Sequence, residues 1–290
     1  MIKDNKTLIG YALSDTVKEH LDITKAIDVL KPSMLELQLD NFAWNFTNYI
    51  AHLKNLEFIS VHAPSMDLDL SSEDEALSKE SLSKTIKGME IANFVGASTY
   101  VIHPVNNMFL DPVQRIRNKD KFKEIMTNSI LPHHIDNNHK YKICLENIEY
   151  PKYPSTLEES IELVKFFKDK SDCVKMVMDI PHIWNSIKIL NENPEKYTQL
   201  TNGYPIKTDF IKYLKRFIED NSEDIGLFHI AGFGENPVQT HNPLYGEFLN
   251  EEYIQLKHSL KNKPITMEIH NSDYETFIRS KKSIEEMILK

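Results

Sequence analysis

Cysteine is almost absent: only Cys144 and Cys173 occur in 290 residues, at no metal-type spacing. A disulfide framework or a zinc-finger module therefore has little support. Cys144 sits inside an apolar run and reads as a small core residue. No apolar run approaches the ~20 residues that a membrane span requires. Met1–Lys6 is polar and lacks the apolar core of a signal peptide. The expectation is a cytosolic protein with no membrane partner. A basic excess is missing too: the formal net charge is -9, with Lys and Arg scattered along the chain. That balance supplies no electrostatic case for a nucleic-acid partner. No linker or low-complexity segment divides the chain, and no Gly-rich nucleotide loop follows its first apolar run.

What is present suits one core. Hydrophobic residues make up 41% and charged residues 27%, an ordinary globular balance. Short β-branched or apolar runs recur at Thr7–Leu13, Met34–Asp40, Phe58–Pro64, Thr99–Val105, Lys142–Ile148, Val174–His182, Ile225–Gly232 and Pro264–Asn271. Several are apolar until their last residue or two, the pattern of parallel strands buried on both faces. Amphipathic stretches separate them. Glu73–Val95 follows Ser71 and Ser72, which can cap, and ends before Gly96. Ser155-Thr-Leu-Glu has the capping-box pattern for a helix through Phe167, and Thr208–Glu219 and Glu275–Leu289 carry apolar residues at helical steps. Eight strand–helix units imply a parallel sheet that closes into a (β/α)8 TIM barrel, a single domain over residues 1–290. An extended loop is expected at about 191–207, after the sixth strand.

Catalytic groups of such barrels sit at the carboxyl ends of the strands. There the sequence places His62, His103, Glu146, Asp179, His182, His229 and Glu268, with His241 in the loop after the seventh strand. A lone histidine at a strand end is more often structural than a ligand. A buried carboxylate is different, because it needs a cation or donors, and these strand ends offer no Lys or Arg. The joint pattern points to a site for zinc, manganese, magnesium or cobalt. His133, His134 and His139, in a polar stretch, and His20, His52 and His258, on predicted helices, read as ordinary. His270 reads as a partner of Glu268 or as solvated packing, and Trp44 and Trp184 as core or as pocket wall.

Val-His62-Ala-Pro, Ile-His103-Pro, Leu-Glu146-Asn, Met-Asp179-Ile-Pro-His182, Phe-His229-Ile and Met-Glu268-Ile, in that order, resemble the xylose-isomerase-like TIM-barrel superfamily over residues 7 to 289. That group holds sugar (phosphate) isomerases and epimerases and the endonuclease IV-type abasic-site nucleases. The resemblance implies that Glu146, Asp179, His229 and Glu268 form a metal site shared by both branches. It matches His62 and His103, with Glu146 bridging, to a second zinc site of the nuclease branch, and His182 and His241 to a third. The cofactor expectation is one to three divalent ions per chain. Gln239 stands where the nuclease branch supplies an Asp, and Ser65 where it supplies a bulky wedge. The segment Asn41-Phe-Ala-Trp-Asn lacks a basic residue to probe an abasic site. On the isomerase side, Glu235 stands near where several epimerases place an arginine.

The leading expectation is a metal-dependent sugar or sugar-phosphate isomerase or epimerase acting through a cis-enediolate. Glu146 and Glu268 would transfer the proton and His182 would steady the oxyanion. The alternative is a zinc-dependent phosphoesterase of the endonuclease IV type, cleaving abasic-site DNA or another phosphate ester. A non-catalytic scaffold would require the strand-end acids to be purely structural. The partner is a small carbohydrate or phosphate ester, with nucleic acid only under the alternative; the sequence leaves a homo-oligomer open.

Overall fold

A computed structural model describes residues 7–106, 112–192, 195, 210–234, 241–246, 251–270 and 272–289. Its eight strands are β1 (Leu8–Ser14), β2 (Met34–Gln38), β3 (Phe58–His62), β4 (Thr99–Ile102), β5 (Lys142–Glu146), β6 (Val174–Asp179), β7 (Ile225–Ile230) and β8 (Pro264–Met267). Each pairs in parallel with the next, and β8 returns to β1, so the sheet closes into a barrel. The (β/α)8 architecture expected from the strand–helix alternation is the observed one. Of the loop expected at about 191–207, only 191, 192 and 195 are described; Met1–Lys6, Glu235 and Gln239 also lie outside the described residues.

Side chains alternate across a strand, so every second residue points into the barrel. A buried apolar cluster of Leu8, Met34, Phe58, Val101, Cys144, Val177 and Leu227 fills one interior level. Two residues further along the same strands, the next inward positions are Gly10, Glu36, Ser60, His103, Glu146, Asp179 and His229. The period of two thus converts an oily layer into a polar one within a single step. Gln38 and His62, paired in the β2–β3 register, continue the same inward faces toward the carboxyl end. The outward faces, among them Leu37, Val61, Ile102, Leu145 and Met178, are fully or almost fully buried.

The layer change needs room at Gly10. A Cβ there would stand 2.5 Å from the Met34 carbonyl oxygen and 2.6 Å from its Cγ. Gly10→Ala is therefore expected to lower the unfolding free energy by about 1–3 kcal/mol, the usual cost of overpacking, read as a shifted urea midpoint. An unchanged midpoint would contradict that close approach.

Local signals set the helix ends. In the helix Glu75–Val95 the cap is Asp74, whose carboxylate accepts from the Ala76 and Leu77 amides, rather than Ser71 or Ser72. Gly96 closes it in the left-handed region at φ 72°. The capping box lies one residue later than the Ser155 pattern suggests: Thr156 and Glu159 cap each other at the start of Leu157–Lys168. Pro112–Ile125 continues through a π turn at Met126–Ile130 into Leu131–Asp136. Pro132 lacks the N–H that a regular ladder would use, and the turn widens just before it. The sixth strand is shorter than its apolar run. Asp179 ends it and caps the helix Ile180–Asn191, with Pro181 in the first turn, so His182 stands on a helix and not on a strand.

Candidate metal centre

The inward polar layer and the loops above it bring the eight sequence-named residues together. Geometry that could hold an ion occurs in His62–His103–Glu146, in Glu146–Asp179–His229–Glu268 and in Asp179–His182–His241. Glu146 connects the first two groups. Its Oε2 lies 3.2 Å from His62 Nε2 and 3.4 Å from His103 Nε2. Its Oε1 lies 3.3 Å from His229 Nδ1 and 3.6 Å from His182 Nδ1. Glu268 Oε2 lies 2.9 Å from His229 Nδ1, while its Oε1 accepts from Gln38 Nε2 at 2.8 Å. Asp179 Oδ1 accepts from the His182 amide at 2.5 Å, and its other oxygen has no hydrogen-bond partner.

The imidazoles are oriented from behind. His62 Nδ1 donates to the Ala63 carbonyl at 2.7 Å, His182 Nδ1 to Asn147 O at 3.0 Å and His241 Nδ1 to Glu268 O at 3.0 Å. His229 uses Nε2, which faces Glu36 Oε2 at 3.1 Å, and Ser60 Oγ donates to the same oxygen at 2.7 Å. The remaining nitrogens of His62 and His229 face Glu146, and His182 Nε2 lies 2.9 Å from His241 Nε2 and 3.2 Å from Glu149 Oε2. Histidines that bind metals are held in this way.

The electrostatics couple the carboxylates to the histidines. Burial alone would push Glu146 up, but His229 and His103 override it and hold its carboxyl well below the usual range. Burial pushes Asp179 up to about 7, with Glu146 and Glu268 adding to it and His182 opposing. His62 rises to about 9 because Glu146, Glu36 and Glu268 outweigh its burial. His182 also rises to about 9, through Asp179, Glu149 and Glu146. Burial lowers His103, and lowers His241 to about 3. Among the described residues no Lys or Arg pairs with Glu146, Asp179 or Glu268. Glu146 Oε1, Asp179 Oδ2, His229 Nδ1 and Glu268 Oε2 are buried without hydrogen-bond partners. Buried oxygen and nitrogen donors that converge without hydrogen-bond partners fit a divalent ion such as zinc.

The match to the xylose isomerase-like TIM-barrel model extends over residues 23–288. The chain belongs to this family. No curated protein matches the sequence. Among solved structures, a D-tagatose 3-epimerase-like protein superposes with a TM-score of 0.65 at 19% identity, covering 98% of this chain and 97% of that one. The 3-keto-D-glucoside 4-epimerase of E. coli gives 0.66 at 14%, covering 97% and 100%. Endonuclease IV from Thermus thermophilus gives 0.63 at 16%, covering 96% and 99%. Family likeness therefore includes both epimerases and an endonuclease, and at these identities the superpositions speak to the fold.

Sequence reasoning missed Glu36. It lies in the middle of β2, fully buried, and fixes the ring of His229. Its signal was available: an acid two residues past inward-facing Met34, between Leu35 and Leu37. Glu36→Gln is expected to weaken metal binding roughly 10- to 100-fold, as loss of an outer partner of a ligating histidine does, measured by competition with a fluorescent chelator. His270 proves to be an outer neighbour, stacked on His241 with ring centroids 4.3 Å apart and its Nε2 3.8 Å from Glu268. His20 is not an ordinary helix histidine: it is buried and lines the mouth. Trp44 is core, and Trp184 packs on Phe210 and Phe233.

Proposed function

We propose that the chain is a metal-dependent hydrolase of phosphate esters, working with two or three zinc-type ions at the barrel mouth. The observation that carries this reading is the division of Glu146, one oxygen toward His62 and His103 and the other toward His229 and His182. A carboxylate so placed could be shared by two ions, one on each side. Divalent ions there would supply Lewis acidity toward a phosphoryl oxygen and its leaving group. His62 and His103 would hold one ion with Glu146; Asp179, His229 and Glu268 would hold a second with it; His182 and His241 would contribute to a third. Glu36, Gln38 and Asn147 would keep those side chains aimed, and the apolar layer beneath would exclude water.

The isomerase expectation asks more of Glu146 than this arrangement offers. Proton transfer on both sides of a sugar needs two carboxylates that reach the substrate. Glu268 lines the mouth cavity of about 1320 Å³, but Glu146 does not and is fully buried. One observation favours the isomerase as a second reading. The described part of the mouth carries Asp40, Asp67, Asp69 and Glu149, and the one Lys or Arg among its described residues, Lys152, is held by Glu149 at 2.8 Å. A neutral sugar suits that lining, and a polyanionic duplex does not. The hydrolase reading accordingly takes a small ester as substrate.

The two readings separate in one experiment. Zinc-loaded protein is incubated with p-nitrophenyl phosphate, bis-p-nitrophenyl phosphate and an abasic-site duplex, and in parallel with ketohexoses in deuterium oxide. Cleavage of a small ester without deuterium entering any sugar is the expected result. Deuterium uptake at carbon with every ester intact would replace the hydrolase by the isomerase.

A further inference from the structure

A second group of ligating side chains lies outside the barrel, at its other end. Glu90 is five residues from the end of the helix Glu75–Val95, which feeds the start of β4. His133 is on the short helix Leu131–Asp136, and His139 lies three residues before β5. These positions belong to the amino-terminal face of the barrel, opposite the mouth. His133 Nε2 lies 2.5 Å and His139 Nε2 3.6 Å from the same Glu90 Oε1. One atom from each of the three side chains falls within 4.8 Å of the others.

The hydrogen bonds around His139 give the decisive detail. Tyr141 has one hydroxyl proton, which it donates to the Met89 carbonyl at 3.2 Å. Its oxygen also lies 2.8 Å from His139 Nδ1. The other nitrogen, Nε2, lies 3.6 Å from Glu90 Oε1. His139 is only 5% exposed, and its Nε2 is buried with no hydrogen-bond partner. A cation between Nε2 and the carboxylate would give that buried nitrogen the partner it lacks. Neighbouring His134 is engaged elsewhere, its Nε2 2.9 Å from the Tyr141 carbonyl.

We propose that Glu90, His133 and His139 bind one transition-metal ion of the zinc class, which ties the helix Glu75–Val95 to the turn before β5. Two imidazoles and a carboxylate are a zinc donor set, and the half-exposed Glu90 leaves the fourth position to water. The role is structural: this face of a (β/α)8 barrel serves stability rather than chemistry.

The test uses the full chain and zinc alone. Zinc retained after desalting is counted by inductively coupled plasma mass spectrometry in wild type, Glu90→Gln and His133→Ala. Both substitutions are at side chains with solvent access and leave buried His139 in place, so the variants fold. Each is expected to hold one zinc fewer than wild type, or to bind that ion at least about tenfold more weakly, with activity at the mouth unchanged. In Glu146→Gln the same ion is expected to persist, which separates this site from the bridged centre. Equal zinc content and affinity in wild type and both variants would overturn the proposal.

Discussion

Glu146→Gln is expected to cut kcat/KM about a thousandfold and to strip metal from the mouth. A neutral amide cannot bridge two ions, and losing their Lewis acidity removes several kcal/mol of transition-state stabilisation, at 1.36 kcal/mol for each factor of ten. The glutamine is nearly isosteric, so the fold is expected to survive, as checked by circular dichroism. Metal content and steady-state rates are measured on the same preparation. A variant that keeps full metal content and loses activity would put Glu146 back in the proton-transfer role. One that keeps both would remove it from the site altogether.

Chelation is the second large effect. Metal-free protein is expected to melt roughly 10 °C lower than zinc-loaded protein. Ligand at a thousand times its Kd contributes about 4 kcal/mol, and each kcal/mol moves Tm by about 2–4 °C at this chain length. The gap is expected to widen between pH 7 and 9. Surrounding carboxylates raise His62 and His182 to about 9 despite burial, so in the chelated protein they stabilise the fold fully below their ordinary value. That contribution is lost as pH rises through about 9. Asp179, raised to about 7 by burial, loses its contribution lower, between its ordinary value and about 7. Zinc instead binds more tightly as those protons leave. Calorimetric scans with and without chelator at the two pH values measure both effects; equal melting temperatures would mean that no ion stabilises the mouth.

The sequence carried the barrel because period and length agree in it. Runs such as Thr99–Val105 and Lys142–Ile148 are apolar on both faces, and only strands between the core and outer helices bury both. Their inward positions could be read from where the apolar character stops, which is how Glu146, Asp179, His229 and Glu268 were found. Glu36 escaped because it stands before the end of its strand, so attention to strand ends passes over it. His139 escaped for another reason. Its polar neighbours suggest a solvated turn, whereas its ring packs on Tyr141 and faces Glu90 of the helix Glu75–Val95, the latter a contact distant in sequence with no local mark. The strand reading ran past Asp179 because Ile-Pro is as compatible with a first helical turn as with an extended end.

The apolar level below Glu36 and Glu146 turns the barrel into a vessel with one opening. Under the proposed function, reactant, product, water and metal would share the route past His241 and Glu268. Traffic in one direction therefore obstructs traffic in the other: a molecule seated above the centre also corks it. Saturation with a true substrate would slow the escape of ions to a chelator, so the rate of inactivation becomes a gauge of occupancy for compounds that are never turned over.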